Sequence, residues 1–218
     1  MINLKTKGGQ KILAAGNWAW SLFTINFAWF LINFSVILTL IVLGSFELNV
    51  GFIMINLILV VMLTIFTVPS LMATFRTVED WQVNGSGSFF KEEIMNWVQM
   101  LRNVKLNLSF AGGLGLLIFF NKLSFGLVLP HMFVLTSSII LLAMLLITSF
   151  KVGTEATQSF TELCLDFPVK IIVATVILIT LLILNLVLQL AFLIVICSVS
   201  LSVFIAYRMF GGRVEKND

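Results

Sequence analysis

The sequence predicts an all-α integral membrane protein, a bundle of about six transmembrane helices with one amphipathic helix in the cytoplasmic interface. Three observations predict it. Charge is scarce, apolar runs of bilayer length recur between short polar links, and basic residues gather at alternate links.

Only 11% of the residues are charged and 60% are hydrophobic. A soluble domain carries about 25% charged residues because water must solvate its surface. With less than half of that, this chain needs lipid as its solvent. The mean hydropathy of +1.10 agrees. A net charge of +3 and a pI near 9.0 would suit a nucleic-acid partner. The basic residues sit at the ends of apolar runs, however, where the positive-inside rule places them, and nucleic acid is not expected. Cys164 and Cys197 are too few for a four-ligand metal site, and Cys197 lies inside an apolar run.

The first span is expected over 18–43, after a polar stretch carrying Lys5, Lys7 and Lys11, which is placed in the cytoplasm. That run is far longer than the roughly 7–15 apolar residues of a signal peptide. Trp18 and Trp20 mark the interface. The second span, 50–75, contains Pro69 near its end, where a kink is expected. A polar stretch with Gly85-Ser86-Gly87 follows. Over 89–105, Phe90, Ile94, Trp97, Val98, Leu101 and Val104 recur at helical spacing, with Ser88 as candidate N-cap. Glu92 and Glu93 lie in the first turn and Arg102 and Lys105 further on, the order the helix dipole favours. This segment reads as an amphipathic interfacial helix.

The third span, 106–120, carries Gly112, Gly113 and Gly115, which point to close helix packing. The fourth, 127–150, has Pro130 and the sole histidine, His131, in its first turn. The run 171–209 would make a single helix of roughly 58 Å, nearly twice a bilayer core. Two spans, 171–186 and 190–209, hinged at Asn185 and Gln189, put every basic cluster on one side. One long tilted helix, giving five spans, is the alternative.

No motif for catalysis, nucleotide binding or metal ligation is present, so neither enzymatic activity nor a cofactor is expected. Glu155-Ala156-Thr157 and Pro168 echo the coupling loop of importer permeases, but the expected glycine and spacing are missing. The spans hold almost no ionisable residues. Their polar residues, among them Asn26, Asn33, Asn56, Asn107 and Ser200, are expected to bond helix to helix.

Asn17-Trp18, Val68-Pro69-Ser70 followed by Arg76 and Trp81, Gly85 before Phe89-Phe90, the Trp97…Arg102…Lys105 stretch and the basic tail after Tyr207-Arg208 carry a resemblance. Together they resemble the YesL family of small bacterial membrane proteins, a domain of unknown function. The resemblance implies a membrane protein of a Gram-positive bacterium associated with a carbohydrate ABC importer. It implies no reaction. The expected partners are therefore the lipid bilayer and importer permease subunits. Docking is expected through Arg76, Trp81, Phe89, Phe90, Trp97, Arg102 and Lys105. A stand-alone pore for a small polar solute is the alternative.

Overall fold

A computed structural model describes residues 7–85, 87–187 and 196–211, and they are helical apart from short links. The helices are α1 (Lys7–Ser45), α2 (Val50–Met62), a π-helical turn (Leu63–Thr67), α3 (Val68–Asn84), α4 (Phe89–Met100), α5 (Val104–Leu123), α6 (Val128–Gly153), α7 (Phe160–Asp166), α8 (Pro168–Val187) and α9 (Ser198–Gly211).

Among the described residues, four helical stretches are long and apolar enough to cross a bilayer: Leu13–Ser45, Val50–Asn84, Val104–Leu123 and Val128–Gly153. A fifth arises if α7 and the first part of α8, bent by 91°, count as one span. The α2–π–α3 helix is 35 residues long and passes Pro69 without breaking. Asn49 starts it, its side chain accepting the Phe52 N–H at 3.0 Å. Gly85, at φ +77°, ends it in a left-handed turn that a side chain would strain.

Neighbouring helices alternate in direction. Asn33 of α1 meets Ser70 while Thr39 meets Met62, so α2 and α3 descend beside α1. Together α4 and α5 run back along that helix, Glu93 beside Thr74, Trp97 beside Ile65 and Asn56 beside Gly115. Lys170, at the start of α8, donates to the Met209 carbonyl near the end of α9 at 2.7 Å. The ends of the 171–209 run therefore lie together, and a single straight helix there is excluded. Of the proposed hinge, Gln189 lies outside the described residues, as does the Asn185 side chain.

The contacts that set these directions also gather charge. Arg76 pairs with Glu155 at 2.8 Å, Arg208 lies over Phe204, and Phe204 packs on both Trp18 and Trp81. Arg76, Lys170 and Arg208 thus share one end of the bundle.

Close packing depends on two glycines. A Cβ on Gly115 would collide with Val60, and one on Gly153 would stand 2.5 Å from the Met72 carbonyl and 2.8 Å from Phe75 Cβ. Gly112, by contrast, has open space beside it, so only part of the glycine stretch serves packing. Gly153→Ala must push α6 off α3 and should destabilise the protein by about 1–3 kcal/mol, the range for overpacking. Gly112→Ala should be neutral or stabilising. Reversible unfolding in mixed micelles checks both.

Candidate functional site

The site grows from Pro69. Proline has no N–H and its ring crowds the carbonyl four residues earlier, here that of Ile65. The chain answers in two ways. A π-helical turn, with the Val68 N–H bonded to the Leu63 carbonyl, makes room just before the ring. The indole N–H of Trp97 on α4 then donates to the Ile65 carbonyl at 2.9 Å, replacing the missing donor. The Trp97 ring stacks on Phe66 with a centroid separation of 5.9 Å. Sequence alone leads one to expect a kink at Pro69; the observed helix stays one span because the disturbance is absorbed by a wider turn and a side chain.

On the α1 side the same stretch is held by Asn33. Its amide donates to the Trp29 carbonyl and to Ser70 Oγ, both at 2.9 Å, and its oxygen accepts from Thr67 at 2.7 Å. Both N–H groups and the oxygen of that amide are engaged.

Below it, α4 turns a polar stripe inward. Phe89, Glu93, Asn96 and Met100 are its buried residues. Asn96 donates to Thr77 Oγ1 at 3.1 Å, and Thr77 donates to the Ala73 carbonyl at 3.0 Å. Glu93 is wholly buried. The Thr74 hydroxyl lies 2.7 Å from Glu93 Oε1 and 2.8 Å from the Ser70 carbonyl. A hydroxyl has one proton and cannot donate to both. With that proton on the Ser70 carbonyl, the short contact to Glu93 is supplied by a proton on the carboxyl itself. The other oxygen, Oε2, has no hydrogen-bond partner, and a carboxylate left there would be an unsolvated charge. Burial pushes the Glu93 pKa up to about 8. At neutral pH Glu93 is therefore mainly the neutral acid.

The residues expected to form a docking surface are dispersed. Trp81 and Phe89 are each 8% exposed, packed edge-to-face on one another inside the bundle. Trp97 is half-buried and held as described. Arg76 is bound to Glu155. Phe90, at 36% exposure, leans on Phe27 of α1, while Arg102 and Lys105 are exposed beyond the end of α4. The helix itself is present but stops at Met100, and Ser88 occupies the N-cap position without a side-chain cap bond. Its apolar stripe, Phe90, Ile94, Met95 and Val98, faces outward. Helix α3 offers α4 the hydroxyls of Thr74 and Thr77, so Glu93 and Asn96 pack inward and the apolar stripe is left facing outward.

Sequence reasoning passed over Asn96, Thr74 and Thr77 and gave Glu93 only a place in the first turn of its helix. A signal was there. Phe89, Glu93, Asn96 and Met100 share one helical face, and Thr74 and Thr77 are one turn apart on the preceding helix.

Compared with known proteins, the chain matches no family model, no curated protein and no solved structure.

Trp97→Phe keeps the stacking on Phe66 and deletes the donor to Ile65. It should cost about 1 kcal/mol in micellar unfolding. In a Pro69→Ala background, where an amide N–H returns, the same change should cost measurably less, and the double-mutant cycle reads the difference.

Proposed function

We propose that this chain is a non-enzymatic accessory or assembly subunit of a larger complex in a bacterial plasma membrane. On the YesL resemblance, the partner is the permease part of a carbohydrate ABC importer; on the placement of Lys5, Lys7 and Lys11, the N-terminus is cytoplasmic. The observation that carries the reading is the outer face of α4. Phe90, Ile94, Met95 and Val98 lie exposed along it. Exposed Lys91 stands within that stretch, and Arg102 and Lys105 stand beyond its end. The opposite face is bonded into the bundle, so the outer stripe is presented on a fixed support. At 12 residues, roughly 18 Å, α4 is too short to span, and it sits at the basic end of the molecule. This surface replaces the one expected from sequence, keeping Phe90, Arg102 and Lys105 and substituting Ile94, Met95 and Val98 for the buried aromatics.

The disposition of polar groups also favours a binding role over a pore. Asn33 ties α1 to α3, Asn56 donates to the Gly115 carbonyl at 3.1 Å, and Asn26 accepts the N–H groups of Val199 and Ser200 at 3.0 Å each. These are bonds between helices, not a lining for a solute. A groove of about 430 Å³ between α5 and α6 is walled by Leu117, Phe120, Leu127, Phe133 and Val134 and is apolar.

Tagged protein drawn from native membranes in mild detergent should bring permease subunits in stoichiometric amount, identified by mass spectrometry. Phe90→Ala with Val98→Ala should abolish that capture and leave insertion intact. Capture of nothing, together with solute flux in liposomes holding this protein alone, would replace the accessory reading with the pore.

A further inference from the structure

We propose that Glu93 is a proton-operated latch: the neutral carboxyl holds α4 against α1 and α3, and loss of its proton releases the helix. The inference stands apart from the identity of any partner.

Three features of the geometry lead to it. First, the carboxyl is enclosed, with Oε1 on the Thr74 hydroxyl and Oε2 on nothing. The neutral acid suits this enclosure, and an anion would be left with one oxygen unsolvated. Second, among the described residues no charge faces it. Helix α1 carries no charged residue after Lys11, and the π turn carries none. On α3, Arg76 is engaged by Glu155, and Glu79 interacts with Asp80, Arg76 and Glu155. On α4 itself Lys91 is exposed, and Glu92 lies against Gly87. Lys105 is exposed on α5. An ionised Glu93 would therefore find no cation in place. Third, α4 is a separate piece. Gly85 at φ +77° interrupts the chain before it. A turn at Leu101 and Arg102 interrupts it after, where Asn107 of α5 satisfies the Met100 carbonyl at 3.1 Å. Both ends can turn without unwinding α3 or α5.

The sign follows from linkage. Held in the bundle, Glu93 keeps its proton up to about pH 8, whereas free in water it would lose it near 4.5. The folded value is raised, so the stabilisation is complete below 4.5 and is lost as pH rises toward about 8. Across that window the ratio of docked to released α4 falls by up to about tenfold per pH unit, then levels.

The test uses the full chain in lipid nanodiscs. Infrared titration should show a protonated-carboxyl band that disappears with rising pH and is missing in Glu93→Gln. Hydrogen exchange over Phe89–Met100, corrected for intrinsic rates, should lose protection with pH in the wild type and stay flat in Glu93→Gln. Gln mimics the neutral acid and keeps a donor for Thr74. Should Glu93→Gln fail to insert, Thr74→Ala must shift the band, because it removes the carboxyl's hydrogen-bond partner. Absence of a titrating band, or equal pH dependence of α4 protection in wild type and Glu93→Gln, would overturn the latch.

Discussion

A carbonyl without its amide organises much of this bundle. In water the Ile65 oxygen would bond to solvent after Pro69 removed its usual donor. In an apolar medium an unpaired backbone group costs several kcal/mol, so something else in the protein must reach it. That something is Trp97. The requirement sets where α4 lies, because the indole must stand beside the π turn, and it sets the direction of α4, because Phe89 then falls against Trp81. With α4 so placed, Glu93 and Asn96 meet Thr74 and Thr77 rather than lipid.

The same rule explains two more of the interior amides. A helix beginning inside the bundle leaves its first N–H groups unpaired. α9 begins this way, and Asn26 of α1 accepts the Val199 and Ser200 N–H groups from across the interface. Ser200 returns a bond to the Leu22 carbonyl at 2.9 Å. At the other kind of end, Met100 closes α4 and Asn107 takes its carbonyl. Asn26 and Asn107 thus sit at a start and a stop, where a backbone group lacks its regular partner, whereas Asn56 bonds a carbonyl inside α5.

This is why the architecture was legible in the sequence and the site was not. Apolar runs and charge spacing report what faces lipid, and they located the apolar helices between Val50 and Gly153, while the polar stretch from Arg76 continues α3 as helix to Asn84. The role of the interior amides as helix bonds was legible too, because lipid leaves them few alternatives. The inner face of α4 was not. Two stripes compete on that helix, and the apolar one, Phe90 to Val98, is the stronger by composition. The choice between them is made by α3, which offers hydroxyls at Thr74 and Thr77, and a single-helix pattern does not contain its neighbour. Trp97 was visible as an aromatic anchor, but its partner is a carbonyl freed by a proline more than a full span away in sequence, and no local periodicity records that pairing.

Inverting a helix in this way has a consequence for motion. An ordinary amphipathic helix is held by burying its apolar stripe, and leaving exposes that stripe to water at about 25 cal/mol per Å². The stripe of α4 is already outside, so its displacement forfeits little apolar burial beyond Phe89, Met100 and the Trp97 ring. Besides those three side chains it is retained by a set of hydrogen bonds, most worth about 1 kcal/mol, one dependent on a proton and one, from Trp97, covering the Ile65 carbonyl. Displacing α4 also gives up the Trp97 bond to the Ile65 carbonyl, so the helix leaves only when the bonds of its inner face fail together, and its outer stripe moves with it.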